Sequence, residues 1–360
     1  LLCTVFFWIL SAHVAAEGDP IGVDGFRLAT GAHSLTFPRD HGAHPDYRTE
    51  WWYFTGHLQT AEQRTFGFEL TFFRVGVSPT VPSRSSWATS SVYLAHFALT
   101  DDQGKQFFVG ERASRGAFGE ASAAESGLNV QVSDWSASLN GDTLTLHAAD
   151  AFGEVQLSLR PTKPVVLHGE RGLSQKDANS GDASYYSSFT RLEGAGTLRI
   201  GTNAHMVTQA SAWMDHEFSS STLNRETLGW DWFALQLKNG DELMLYQLRR
   251  PDGSASPFSA GTYVHRDGTV RTLKASNFHI EPLAHWTSER TKIRYPSRWR
   301  LTVEGVGGFT VVPTVADQEL DTKQTTGVTY WEGRCSVLAD GDSTPLGEAY
   351  VELVGYQKEE

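Results

Sequence analysis

Short stretches of alternating apolar and polar residues, separated by tight-turn dipeptides, run through the chain from about residue 20 onwards. Asn140-Gly141 and Asn239-Gly240 each lie between two such stretches, and Asn-Gly favours two-residue hairpin loops because both residues tolerate positive φ. Val155–Leu159 alternates strictly, as a half-buried strand does. The one candidate helix, Gly119–Gly127, is rich in Ala and Ser and bounded by glycines. The sequence therefore predicts an all-β protein of antiparallel strands.

Two segments half a chain apart repeat one arrangement. Trp51–Arg74 and Trp230–Arg249 both consist of an aromatic-opened strand, a tight turn and a second strand that ends in Arg. A duplicated, barrel-sized unit explains this pattern, and 360 residues suffice for two cores. We expect the boundary near Ile200–Ala204, which gives an N-terminal domain of residues 17–202 and a C-terminal domain of residues 203–360. Chance similarity between aromatic-rich strands is the alternative.

The first residues read as the end of a secretory signal peptide. An apolar run, Leu1–Leu10, is followed by small residues at Val14 and Ala16, which fit the positions that signal peptidase recognises. We therefore expect residues 1–16 to be an N-terminally truncated signal peptide and the protein to be exported, to the periplasm or cell envelope. An uncleaved membrane anchor is the alternative. Removal of this segment leaves Cys335 alone, so no internal disulfide is expected.

Charge and missing motifs exclude several function classes. The chain carries 30 Lys and Arg against 42 Asp and Glu, a net charge of −12, whereas nucleic-acid binding needs a basic face. No GxSxG, P-loop, GxGxxG or paired CxxC motif is present, so serine hydrolysis, phosphoryl transfer and nicotinamide chemistry lose support. We expect no nucleic-acid partner and no cofactor.

Two acid-containing aromatic segments are the first candidates for a functional site. In Glu50-Trp51-Trp52-Tyr53, strand alternation points Glu50 and Trp52 one way and Trp51 and Tyr53 the other. In the segment 213–218, Trp213, Asp215 and Glu217 share a face, and His216 lies on the opposite face. Carboxyl groups beside aromatic rings lose hydration, which raises their pKa and suits acid–base roles. A metal site of Asp215, Glu217 and a third ligand such as His205, and an ion-paired network with Arg225 or Arg249, are the alternatives.

A third segment, Trp230-Asp231-Trp232, precedes a strand that contains Tyr246. Indole and phenol faces attract cations and can stabilise a carbocation in a dry pocket. His96 and Tyr186 lie in similar aromatic strands and are further candidate pocket residues. Plain core packing is the alternative for all of them. Two long connections, Val77–Ser91 and His168–Ser184, are expected to be lids over a barrel mouth, or else disordered.

These motifs, in this order, resemble the AttH-like family, whose relatives include carotenoid 1,2-hydratase (hydroxyneurosporene synthase). The resemblance is carried by five stretches: His41–Tyr53, Tyr93–Asp101, Tyr185-Tyr186-Ser187, Ala212–Phe218 and Gly229–Trp232. It implies two lipocalin-like (calycin) antiparallel β-barrel domains packed together.

The resemblance also implies a chemistry. Such hydratases add water to an isolated double bond of an acyclic carotenoid without a cofactor. Mapped by motif, Asp215 would be the acid, Trp230 and Trp232 would flank the cation, and His216 or Tyr246 would be near the water. The AttH side of the family implies instead an envelope accessory of an ABC-type transport system.

The leading hypothesis is an exported protein that binds an elongated apolar molecule, a lipid or an isoprenoid, with ABC transporter components as partners. The alternative is a cofactor-free hydratase, a carbon–oxygen lyase that uses Asp215. We assign Asp215, His216 and Tyr246 to catalysis. Ligand binding is assigned to a larger set: Glu50, Trp51, Trp52, Tyr53, His96, Tyr186, Trp213, Glu217, Trp230, Asp231 and Trp232.

Overall fold

A computed structural model describes residues 18–80, 88–220 and 227–358. The predicted signal peptide, residues 1–16, lies outside these ranges. The described chain is nearly all-β, and its helices are single 3-10 turns at Arg39–His41, Ala117–Gly119 and Ala275–Asn277. No helix within these ranges has the length and apolar character needed to cross a membrane. The prediction of an all-β chain is confirmed.

The first of two antiparallel sheets has 13 strands in the order β4-β3-β2-β1-β13-β12-β9-β8-β7-β6-β5, and β10 and β11 both pair with β12. Its strands are β1 (Thr49–Thr60), β2 (Thr65–Gly76), β3 (Ser91–Asp101), β4 (Gln106–Ser114), β5 (Ala121–Ala123), β6 (Asn129–Val132), β7 (Trp135–Asn140), β8 (Thr143–Ala149), β9 (Gly153–Pro161), β10 (Val166–Leu167), β11 (Leu173–Gln175), β12 (Ala183–Ile200) and β13 (Asn203–Ser219).

The second sheet has 10 strands in the order β17-β16-β15-β14-β23-β22-β20-β19-β18, and β21 pairs with β22. Its strands are β14 (Gly229–Leu237), β15 (Glu242–Arg249), β16 (Ala260–Val264), β17 (Val270–Lys274), β18 (Phe278–Thr287), β19 (Arg294–Val303), β20 (Gly307–Pro313), β21 (Glu319–Thr322), β22 (Val328–Ala339) and β23 (Pro345–Leu353). One of the two sheets is a nearly closed barrel and the other a half-barrel.

The two copies of the predicted repeat occupy equivalent positions in the two sheets. The hairpin β1–β2 is flanked by β3 on one side and by β13 on the other, and the hairpin β14–β15 is flanked in the same way by β16 and β23. Each hairpin ends in a buried ion pair, Arg74 with Glu50 in the first and Arg249 with Asp231 in the second. The two halves therefore share strand order around the aromatic hairpin.

The predicted division after residue 202 falls in the turn between β12 and β13, which are neighbours in the first sheet. The chain passes from one sheet to the other later, between Ser219 at the end of β13 and Gly229 at the start of β14. β13 belongs to the first sheet because it pairs with β1 along almost its whole length.

Strand alternation separates the three largest clusters of buried apolar side chains among the described residues. Trp52, Phe54 and Met214 point into the first sheet's core, whereas Phe233 and Trp299 belong to the core of the second. The opposite faces of β1, β12, β13, β14, β15 and β23 meet in a third, aromatic cluster between the sheets. Both faces of these strands are therefore covered, which explains why aromatic residues occur at consecutive positions.

Candidate active site

A cavity of about 500 Å³ lies between the two sheets. β1, β2, β12 and β13 line it from the first sheet, and β14, β15, β22 and β23 line it from the second. Its aromatic lining consists of Trp51, Tyr53, Phe73, Tyr186, Trp230, Trp232, Tyr246 and Tyr330. Pockets of this size that are mostly apolar and carry a few polar groups typically bind small organic molecules.

Asp215 is a carboxyl group of the cavity that is held by three hydrogen-bond donors. Tyr186 Oη donates a hydrogen bond to its Oδ2 at 2.7 Å, and Trp213 Nε1 donates to its Oδ1 at 2.6 Å. Ser188 also donates to Oδ1. Burial raises the pKa of Asp215 to about 7, although these three donors act in the opposite direction. At neutral pH the carboxyl group is thus able both to give and to accept a proton.

A chain of polar groups continues behind Asp215. His168 Nε2 lies 2.7 Å from Ser188 Oγ, and His168 Nδ1 lies 2.8 Å from Thr262 Oγ1 on the second sheet. Burial, together with Lys176, lowers the pKa of His168 to about 3. The neutral imidazole therefore fixes the Ser188 hydroxyl in its orientation toward Asp215.

Glu217 lies two residues further along β13 and pairs with Lys176, whose Nζ is 3.2 Å from Glu217 Oε1. Lys176 Nζ also lies 4.2 Å from the centroid of the Tyr246 ring. Burial alone would lower the pKa of Lys176, but Glu217 and Tyr246 raise it, so the side chain stays cationic. Lys176 comes from the connection His168–Ser184, which contains β11 and contributes cavity residues.

The second sheet supplies carboxyl groups of its own. Glu352 Oε2 accepts a hydrogen bond of 2.9 Å from Trp230 Nε1, and Glu332 Oε1 accepts one of 3.0 Å from Tyr53 Oη. Burial raises the pKa of Glu352 to about 7, and Asp215 and Glu217 add to the effect. Burial and the neighbouring Glu69 raise the pKa of Glu332 well above its ordinary value. The cavity thus holds two carboxyl groups from different sheets that titrate near neutral pH.

Most predicted site residues come together in this cavity. Asp215, Glu217, Tyr246, Trp51, Tyr53, Tyr186, Trp230 and Trp232 line it, and Trp213 belongs to the same aromatic cluster.

Several predicted residues lie elsewhere, because strand alternation points them away from the cavity. Trp52 and His216 stack on each other at 5.0 Å on the opposite face of β1 and β13. Glu50 borders the cavity, but its carboxylate contacts His44, Arg74 and His216. The proposed role of His216 beside the attacking water is therefore wrong.

Asp231 and His96 are also displaced from the cavity. Asp231 sits between two cavity tryptophans in sequence, so its side chain points into the second sheet, where Arg249 Nε lies 2.9 Å away and Tyr356 donates to it. His96 Nδ1 lies 2.8 Å from Tyr330 Oη in the contact between the sheets. Both residues serve packing and pairing, and their assignment to ligand binding is wrong.

The metal site suggested for Asp215, Glu217 and His205 is not formed. His205 lies ten residues along β13 from Asp215, about 33 Å at the rise of a strand, and its Nδ1 is 3.3 Å from Glu62. Arg249 pairs with Asp231 and not with Asp215 or Glu217, and Arg225 lies outside the described residues. Among those residues, ligand atoms gather within 4.8 Å of one another in two groups, His33–Asp40–His44 and His44–Glu50–His216.

Sequence reasoning missed Lys176, Ser188, Glu332 and Glu352. The repeat contained a signal for Glu352. In the second sheet β23 lies beside β14, as β13 lies beside β1 in the first sheet. A carboxyl on β13 therefore has its counterpart on β23. Lys176 gave no signal, because its partner Glu217 is 41 residues away and the connection between them shows no motif.

Comparisons with known proteins agree with this architecture. The AttH-like family model matches residues 28–356. A Nitrosomonas europaea crystal structure assigned to AttH is 31% identical, with a TM-score of 0.81, and the match covers 90% of this chain and 98% of that one. Kievitone hydratase from Nectria haematococca is 14% identical with a TM-score of 0.68, over 95% of this chain and 97% of its own.

CghA in complex with Sch210972 is 14% identical with a TM-score of 0.57, over 87% of this chain and 89% of its own. These two more distant structures share the fold. None of the curated proteins compared with the chain matches it. The family match over residues 28–356, together with the closer crystal structure, establishes that the chain belongs to the AttH-like family.

Proposed function

We propose that the chain binds an elongated apolar molecule, of the lipid or isoprenoid class, between its sheets and adds water to a carbon–carbon double bond of that molecule. The observation that carries the proposal is Asp215, a buried carboxyl group with a pKa of about 7 in an aromatic cavity. An unactivated alkene needs a proton donor and a dry, electron-rich surrounding for the resulting cation. The cavity offers a carboxyl group that titrates near neutral pH and an aromatic lining.

The proposed reaction conserves every proton. The Asp215 carboxyl group gives its proton to one alkene carbon, and the other carbon becomes a tertiary cation that faces Trp230 and Trp232. Water attacks this cation, and the proton that the water loses returns to Asp215, which restores the carboxylic acid for the next turnover. The Asp215 carboxylate, stabilised by Tyr186 and Ser188, balances the cation during the reaction.

Lys176 has a positioning role in this proposal. Its ammonium group pairs with Glu217 and covers Tyr246, so it holds the segment around β11 against the cavity. Kievitone hydratase shares the fold, which supports the idea that such a frame accommodates hydration.

Binding without turnover is the second candidate function, favoured by the largely aromatic lining. Export, and an accessory role beside an ABC-type transporter, stay predictions, because they depend on residues 1–17, which lie outside the described residues, and on the resemblance.

The test uses the molecule that copurifies with the chain, identified by mass spectrometry after solvent extraction, and an acyclic carotenoid in detergent as a defined probe. Incubation in ¹⁸O-water should yield an ¹⁸O-labelled alcohol. Asp215→Asn should lower the rate by about 10²–10⁴-fold, the usual contribution of a general acid, and should leave binding intact. Asp142→Asn, at an exposed turn, is the control. Equal rates for Asp215→Asn and wild type refute the acid role, and binding with no ¹⁸O uptake leaves the binding function alone.

A further inference from the structure

A second group of titratable side chains lies on the face of β1 and β13 opposite Asp215. This histidine cluster consists of His44, Glu50 and His216, all buried. His44 Nδ1 lies 2.8 Å from Glu50 Oε1, and His216 Nε2 lies 2.9 Å from the same oxygen. Two imidazole nitrogens therefore converge on one carboxylate oxygen.

The remote nitrogens of both imidazoles are held by one residue, Asp40. His44 Nε2 lies 3.0 Å from Asp40 Oδ1, and His216 Nδ1 lies 3.1 Å from the main-chain oxygen of Asp40. Histidines that bind a metal almost always donate their other N–H to a carboxylate or a backbone carbonyl in this way, which fixes the ring and its tautomer. The hydrogen bonds from the outer imidazole nitrogens to Asp40 are thus those that metal-binding histidines make.

The tautomer of His216 requires a positively charged species between its Nε2 atom and Glu50 Oε1. A main-chain oxygen can only accept a hydrogen bond, so Nδ1 of His216 carries hydrogen. In the neutral ring, the lone pair of Nε2 then faces Glu50 Oε1, which is also an acceptor. Two lone pairs at 2.9 Å require a cation between them, either a proton or a metal ion.

The carboxylate between the two imidazoles is held in place from two sides. Arg74 Nε donates to Glu50 Oε2 at 2.9 Å, and the main-chain N–H of His44 donates to Oε2 at 2.9 Å and to Oε1 at 3.1 Å, so Oε1 is fixed toward the two imidazoles. His41 is buried close enough to His216 for their charges to interact, and its Nδ1 has no hydrogen-bond partner among the described residues. A buried imidazole nitrogen without a partner is rare, but the ligand atoms of this cluster that gather within 4.8 Å of one another belong to His44, Glu50 and His216.

We propose that His44 Nδ1, Glu50 Oε1 and His216 Nε2 bind a divalent transition-metal ion. Two imidazoles and one carboxylate form a donor set that suits Zn²⁺. The ion would join the segment before β1 to the two strands that carry the cavity on their other face, since His44 precedes β1, Glu50 lies on β1 and His216 on β13. The proposed hydration uses Asp215 on the opposite face and none of these three ligands, although Glu50 also borders the cavity.

The test is a titration of the full chain, stripped with a chelator, with Co²⁺ followed by visible absorption and with Zn²⁺ followed by calorimetry. Wild type should bind one equivalent of each ion, and Zn²⁺ should displace Co²⁺. Glu50→Gln should abolish binding, and Asp40→Asn should weaken it by about 10–100-fold, as loss of a supporting hydrogen bond to a metal ligand does.

His205→Gln, on the same strand as His216 but at its other end, is the matched control and should bind as wild type does. Circular dichroism establishes that each variant is folded, and the wild-type titration decides the question if a variant is not. The proposal is overturned if stripped wild type takes up neither ion, in which case a shared proton joins the cluster. Equal losses in His205→Gln and Glu50→Gln would overturn it as well, because the ion would then bind elsewhere.

Discussion

Replacement of Asp215 by Asn should make the protein more stable at alkaline pH while it removes the proposed acid. The pKa of Asp215 lies at about 7 in the folded chain, against an ordinary value of 3.8, because the group is buried. Below pH 4 the group is protonated in both the folded and the unfolded chain and does not change stability. Between pH 4 and pH 7 the unfolded chain loses this proton first, so wild-type stability falls as pH rises.

The size of the effect follows from the same pKa values. Ionisation of Asp215 in the folded chain costs about 4 kcal/mol relative to the unfolded chain once the pH is above 7. Asn cannot ionise, so it avoids this cost. One of the three donors to Asp215 loses a matching acceptor in the variant, which costs about 1 kcal/mol. Asp215→Asn should therefore exceed wild type by about 3 kcal/mol at pH 8.

The assay is urea unfolding of wild type and Asp215→Asn at pH values from 4.5 to 8.5, followed by tryptophan fluorescence. The difference in free energy of unfolding should grow with pH up to about pH 7 and then level off. A variant that is less stable than wild type by a constant amount at every pH would show that the pKa of Asp215 is not raised. Asp215 would then be an ordinary ionised carboxylate in the folded chain.

Three further predictions concern the same cavity. Tyr186→Phe removes a donor to the Asp215 carboxylate and should move the alkaline limb of the kcat/KM profile up by about one pH unit; a limb that stays in place would contradict the contact. Lys176→Met should lower the free energy of unfolding by about 1–3 kcal/mol because Glu217 is left without its cation. In a double-mutant cycle, the second change Glu217→Gln should restore most of the lost stability. Trp52→Ala should cost about 3–5 kcal/mol of unfolding free energy without weaker ligand binding by the folded fraction, whereas Trp230→Leu should weaken binding in a titration and cost only about 1–3 kcal/mol, because Glu352 loses the hydrogen bond from Trp230 Nε1.

Much of the fold could be predicted because alternation and turn chemistry are local properties of the sequence. The hairpin β7–β8 turns at Gly141-Asp142, one residue beyond the predicted Asn140-Gly141 loop, because Asn140 still pairs with Thr143. Gly141 adopts a φ of +61°, a conformation that glycine tolerates. The division between the sheets was harder to place. β12 and β13 are joined by a two-residue turn and continue one sheet, and nothing in the sequence separates such a turn from a boundary between sheets.

The candidate site could be predicted from the first sheet and only in part from the second. Alternation correctly put Trp213, Asp215 and Glu217 on one face and His216 on the other. It could not show which face borders the cavity, because both faces of β13 are covered. Glu352 comes close enough to Asp215 for their charges to interact only after the two sheets pack, although the two residues are 137 positions apart in sequence. Glu332 joins the same cavity from the second sheet.

The central claim is that Asp215 exchanges a proton near neutral pH inside an aromatic cavity. The most direct measurement is a carboxyl ¹³C NMR titration of aspartate-labelled chain, with Asp215→Asn to assign the signal. Asp215 should give a resonance, absent from the variant, that titrates at about pH 7. If the resonance that disappears in the variant instead titrates below pH 5, Asp215 is ionised at neutral pH and is not the proposed acid.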